Sequence, residues 1–189
     1  GHGISVSPLQ LAGAVGTLVN GGKRLPLSLL KHRSSELPTG TRVLSEKTSM
    51  QMRELMHLAV TNGTGKKAAA PGYLVGGKTG TAEKQENGGY KKKSLRSSFV
   101  GVFPIDKPRY VILAMLDEPK GTERTSNYAT GDWVAAPIVS RLVSRMASLL
   151  GILPRSMEVP GNELRTTKSR TVSLNLKPTR GGGHYSAAF

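Results

Sequence analysis

The chain has 189 residues, with 27 Lys+Arg against 12 Asp+Glu, a formal charge of +15, 23 Gly, 11 Pro and no Cys. This length suits one domain with a real core but leaves much of the chain to loops, and the charge favours anionic partners such as nucleic acid, lipid headgroups or a polyanionic wall. No apolar run approaches the roughly 20 residues of a membrane helix, and no signal-like segment opens the chain. Absent thiols fit an oxidising cell-envelope compartment, as they also fit many cytosolic chains.

The chain opens on "GHGISVSPLQ", without Met and close to a helix start, so a portion of something longer is expected. "VSPLQLAGAVGTLVNGG" reads as a helix, with Ser7 as N-cap, Pro8 at the first position, Gln10 closing a capping box and Asn20-Gly21-Gly22 as the stop. Leu11, Val15, Leu18 and Val19 share one face. A second helix is predicted from Glu46 to Thr61 behind Ser45, with Met52, Leu55, Met56, Ala59 and Val60 at helical spacing and its methionines as core filler. Three extended segments follow: "GYLVGGKTGTA", "SSFVGVFP" and "RYVILAMLDEP". The short "IDKP" link makes the last two an antiparallel hairpin. The connection "EKQENGGYKKKSLR" reads as an exposed basic loop or as a longer hairpin tip turning at Asn87-Gly88-Gly89.

"GDWVAAPIVSRLVSRMASLLG" predicts one long amphipathic helix capped by Asp132 or Thr130, with Val134, Ile138, Leu142, Met146 and Leu149 facing the core. Pro137 is tolerable only in its first turn. Trp133 is expected in the core. From Pro154 onward the chain is basic and polar and is expected to be disordered.

Residues Gly72 to Thr81, "GYLVGGKTGT", satisfy two chemical signatures. Gly72 with Gly77-Lys78-Thr79 spells a phosphate-binding P-loop, and Lys78-Thr79-Gly80 spells the K-T-G strand of penicillin-recognising serine enzymes. "VILAMLDE" even supplies a strand ending in acids of the kind that hold Mg²⁺. A P-loop, however, must leave a buried strand and open a helix at Lys-Thr, so that the helix N-terminus meets the phosphates. Here "TNGTGKKAAAP" precedes the motif, Tyr73-Leu74-Val75 read as strand, and Gly80 follows where a helix would propagate. Asp117 and Glu118 are therefore expected to be strand-end surface charges.

The blocks "GHGISVSPLQLA", "TNGTGKKA", "GYLVGGKTGTAEK", "SSFVGVFP", "RYVILAMLDEPK" and "WVAAPIVSRLV", in that order, resemble the C-terminal half of the transpeptidase domain of class B penicillin-binding proteins, most like the division-specific type. The resemblance covers about residues 1–150. It implies an α+β fold, a five-stranded antiparallel sheet flanked by helices, present here as a partial domain over 1–153 with the tail from 154 to 189. It implies a K-T-G strand lining the cleft, whose edge pairs with an acyl-D-alanyl-D-alanine stem peptide of peptidoglycan or with a β-lactam. By the same resemblance, Lys78 supplies positive potential and aids proton transfer, and the Thr79 and Thr81 hydroxyls hold the terminal carboxylate. Thr81 N–H is one oxyanion donor, and Gly80 keeps a Cβ out of the substrate's path.

Such enzymes also need a nucleophilic Ser in S-x-x-K and an S-x-N element upstream of K-T-G. Ser28-Leu29-Leu30-Lys31 sits too close before K-T-G, and Ser173-Leu174-Asn175 lies on the wrong side of it, so both read as chance matches. The expected function is thus part of a septal serine D,D-transpeptidase whose nucleophile lies before Gly1, with no cofactor and no metal. The parent would be anchored in the inner membrane on the periplasmic side, beside division-machinery membrane proteins that include a lipid II polymerase. A D,D-carboxypeptidase or serine β-lactamase shares fold and motif. A basic nucleic-acid-binding module is the alternative from another class, although aromatics interleaved with the basic residues are missing. His2, His32, His57 and His184 lack ligand spacing, and the Lys91-Lys92-Lys93 run reads as a solvated loop.

Overall fold

The computed structural model describes residues 4–30, 39–86 and 89–155, with backbone alone over 85–86 and 89–93. Helix α1 (Pro8–Val19) begins as its sequence predicts: Ser7 Oγ accepts from Gln10 N and Gln10 Oε1 accepts from Ser7 N, closing the capping box. A two-residue ribbon pairs β1 (Lys23–Arg24) with β2 (Thr41–Arg42). Helix α2 (Glu46–Thr61) follows its Ser45 cap. Three strands then form one antiparallel sheet in the order β3 (Gly76–Glu86), β4 (Gly89–Phe103), β5 (Tyr110–Asp117). The chain continues through a single helical turn α3 (Gly131–Val134) into α4 (Ala136–Leu149).

Both faces of this sheet are covered, and the strands record it. Phe99 and Phe103 of β4 and Ala114 of β5 are buried against Val139, Val143 and Ala147 of α4. Val100 and Val102 pack on the other side with Val15 and Val19 of α1 and Met56 of α2. In β5, Tyr110, Ile112 and Leu116 join the first cluster and Val111 and Leu113 the second. A strand covered on two sides loses polar alternation, hence the near-continuous "YVILAML".

Several expectations are corrected. The first extended segment begins at Gly76, because Gly72 adopts a left-handed backbone (φ 82°) in a turn closed by an Ala70–Tyr73 bridge. Of the two readings of the connection after it, the hairpin holds: β3 and β4 stay paired out to Glu86 and Gly89. The sheet itself agrees with a partial domain of the five-stranded fold: among the described residues three strands enter it.

The single long C-terminal helix is broken at Ala135, two residues before Pro137, which lies in the first turn of α4. Its buried face is Ala136, Val139, Val143 and Ala147, one position round from the stripe expected; Leu149 is 85% exposed. The reason is close approach: a Cβ on Gly101 of β4 would lie 2.6 Å from Val139 Cγ1, so small and β-branched residues win the contact over longer side chains. Likewise Leu55 of α2 is exposed although it shares the spacing of Met56 and Val60. Of the tail expected from Pro154, only Pro154 and Arg155 lie among the described residues, Arg155 N donating to Gly72 O at 2.8 Å. His2, His32, His184, Asn87-Gly88, Ser173-Leu174-Asn175 and the Lys91-Lys92-Lys93 side chains fall outside them.

Candidate active site

The K-T-G segment is extended strand, not a helix start. Lys78, Thr79, Gly80 and Thr81 pair with Val100, Phe99, Ser98 and Ser97 of β4, and β3 has no described strand along its other edge. This arrangement, with an antiparallel β5 beyond, overturns the P-loop reading. Asp117 and Glu118 hold the Lys84 ammonium at 3.0 Å each, and among the described residues no three His, Cys, Asp or Glu gather to hold a metal. They are surface ion partners, as expected. These two acceptors, Glu118 first, raise the Lys84 pKa above its ordinary 10.5.

Glycines let β3 lie flat on its neighbours. A Cβ on Gly76 would come within 2.6 Å of Ile105 Cγ1, and one on Gly77 would strike the Phe99 ring. One at Gly80 would lie 2.6 Å from Ser98 Oγ, so this glycine answers packing inside the sheet as well as any ligand outside it.

Strand alternation then sorts the motif. Gly77, Thr79 and Thr81 share the α3/α4 face, while Gly76, Lys78 and Gly80 share the α1/α2 face. A ligand reached by both Lys78 and the threonines must therefore lie along the open edge. Lys78 is exposed, and its Nζ bends back to Thr79 O at 2.9 Å.

Two hydroxyls on the α3/α4 face are held from outside the strand. Thr79 Oγ1 lies 3.0 Å from Thr64 Oγ1, and Thr81 Oγ1 accepts from Gly131 N at 3.0 Å. Gly131 is buried so close to the sheet that a Cβ would sit 2.6 Å from Gly80 O. Next to it, Lys67 Nζ stands 3.5 Å above the Trp133 ring, which stacks on Tyr128 at 5.6 Å between centroids. Trp133 is half-buried, not core, because this lysine and tyrosine take its faces.

Thr64, Lys67 and Gly131 escaped the sequence reading. Thr64 and Lys67 sat in a Gly-rich turn without periodicity, and Gly131 showed only as the residue after the Thr130 cap. Ser28, by contrast, occupies an exposed turn in which its Oγ meets Leu30 N at 3.0 Å and Leu30 O at 3.2 Å. His57 contacts Val75 O through Nδ1 at 2.9 Å, a structural role between α2 and the residue that precedes β3.

Residues 1–144 match the family model for the penicillin binding protein transpeptidase domain. A probable peptidoglycan D,D-transpeptidase FtsI of Caulobacter vibrioides is 45% identical over 161 residues, 80% of this chain and 27% of that protein. Stage V sporulation protein D of Bacillus subtilis is 37% identical over 84% of this chain and 25% of that protein. Among solved structures, the apo transpeptidase domain of Burkholderia pseudomallei penicillin-binding protein 3 superposes with a TM-score of 0.73 at 39% identity. It covers 82% of this chain and 45% of that one. The chain thus spans about a quarter of the curated relatives' length.

Proposed function

The chain belongs to the penicillin-binding protein transpeptidase domain family, and from that footing we propose that it supplies the substrate-binding edge of a division-specific serine D,D-transpeptidase. Its ligand is an acyl-D-alanyl-D-alanine stem peptide, and β-lactams take the same place. The observation that carries this reading is a K-T-G-T strand with one edge unpaired among the described residues, its lysine on one face and two held hydroxyls on the other.

An extended peptide adds to such an edge by backbone hydrogen bonds. Thr79 and Thr81 donate their hydroxyl protons to the C-terminal carboxylate, and Lys78 supplies the positive potential that favours it. Thr81 N–H is one oxyanion donor, a kind of contact worth about 3 kcal/mol in acyl transfer. The acyl-enzyme forms on a serine other than Ser28, whose exposed Oγ is spent on the Leu30 backbone. The enzyme works on the periplasmic side of the inner membrane beside division-machinery membrane proteins, a placement that rests on the family alone; no helix of the described residues is long and apolar enough to cross a membrane.

The test is the protein's response to an acyl-D-Ala-D-Ala peptide, read as amide shifts by NMR. Thr79 and Thr81 amides are expected to move most, and a T79V/T81V variant to lose the response. Shifts confined to other elements would refute the reading. A separate trial with fluorescent penicillin addresses the nucleophile: a denaturation-stable adduct abolished by S28A would overturn the exclusion of Ser28.

A further inference from the structure

Two segments far apart in sequence grip the same strand face. Thr64, in the turn after α2, meets the Thr79 hydroxyl, and Gly131, opening α3, donates to the Thr81 hydroxyl. These contacts settle what the hydroxyls have left to give. A hydroxyl has one proton and two lone pairs. Gly131 N–H fills a lone pair of Thr81, so the Thr81 proton is free to point outward; Thr64 leaves the Thr79 proton free in the same way when it is the donor. Two outward O–H groups are what a carboxylate, which only accepts, requires.

Neither segment is long enough to hold its own position. Lys66–Ala68 is a single 3-10 turn and Gly131–Val134 a single helical turn, and such short pieces gain little from their own hydrogen bonds. They are tied to each other instead: Lys67 belongs to the first, Trp133 to the second, and the ammonium stands 3.5 Å over the indole. Trp133 is half-buried and stacks on Tyr128, which holds the indole as a fixed seat for the exposed Lys67, a cation over an aromatic face. A second tie, Ser140 Oγ to Ala69 O at 2.6 Å, fixes the far end of the first segment to α4.

We propose that Lys67, seated on Trp133, is a positioning residue that closes a brace across the two segments, and that this brace sets the Thr79 and Thr81 hydroxyls for carboxylate recognition. The proposal rests on the reading of these threonines given above. Its signature is selectivity: a loosened brace costs affinity for a C-terminal carboxylate and spares a ligand that lacks one.

The experiment titrates the protein with an acyl-D-Ala-D-Ala peptide and with the same peptide as its C-terminal amide, and follows the ratio of the two affinities. K67M is expected to lower that ratio about tenfold, the weight of one charge-assisted hydrogen bond lost to misalignment. W133L, which keeps the lysine charge, is expected to lower it as much, while K67R, which keeps a cation over the ring, holds it near wild type. Thermal melts report the folded fraction, and T79V/T81V reports on the underlying assignment. A drop in K67M with none in W133L would mean simple attraction by charge and sink the brace, as would equal losses in K67M and K67R, or parallel losses for both ligands. An unchanged ratio in K67M beside a collapsed one in T79V/T81V overturns the brace alone. An unchanged ratio in T79V/T81V overturns the threonine assignment itself.

Discussion

Replacing Gly131 by Ala tests how α3 is seated against the strand. The new Cβ would lie 2.6 Å from Gly80 O and 3.3 Å from Gly80 N, and it would press on Ser98 O. All three are backbone atoms of paired strands, so none can rotate aside as a side-chain tip would. The first turn of α3 must withdraw, which stretches the 3.0 Å bond from Gly131 N to Thr81 Oγ1. Forced overpacking costs about 1–3 kcal/mol and the lost hydrogen bond about 1 kcal/mol. Ala in place of Gly returns up to about 1 kcal/mol of helix propensity. The net loss of about 1–3 kcal/mol corresponds to a melting temperature lower by about 3–10 °C for a domain of this size. Gly16→Ala is the control. It is the same chemical change inside α1, but its Cβ meets Val111 Cγ2 at 4.0 Å, an ordinary contact, so it is expected to stabilise by up to about 1 kcal/mol. Thermal melts of the two variants should move in opposite directions. A Gly131→Ala protein that melts at or above wild type would refute the close seating of α3.

The remaining expectations concern the core and the exposed ion pairs. Val143→Ala, which opens a void beneath α4, is expected to cost about 2 kcal/mol, whereas Leu149→Ala, at an 85% exposed position, stays within about 0.5 kcal/mol; denaturant melts with equal effects would restore the stripe expected from sequence. Lys84 has a raised pKa in the folded chain, so the stability it contributes is full below about 10.5 and is lost as pH rises through that raised value. Melts across that range should show wild type and Lys84→Met converging at high pH, and converging at all pH values in strong salt, because both carboxylates that hold Lys84 are exposed. A difference that grows with alkalinity would contradict the assignment.

How legible the molecule was depended on the range of the forces involved. The caps of α1 and α2 were readable because Ser7, Gln10 and Ser45 act within one turn of themselves. The antiparallel pairing of β4 with β5 followed from a link too short for anything else. The nature of the K-T-G segment was also local: Gly80 after Lys-Thr, with apolar residues before it, excludes a helix start, and the strand duly runs through it. The inward face of α4 was not local. Two adjacent stripes of its sequence are apolar, and only the press of Val139 on Gly101 selects between them.

The same limit applies at the site. Sequence alone determined that Lys78, Thr79 and Thr81 lie on one extended edge, because that depends on neighbours along the chain. The tertiary structure alone brought Thr64 and Gly131 to that edge from 15 and 50 residues away and seated Lys67 on Trp133, because a hydroxyl's partner and a lysine's aromatic seat are set by what packs beside them in space.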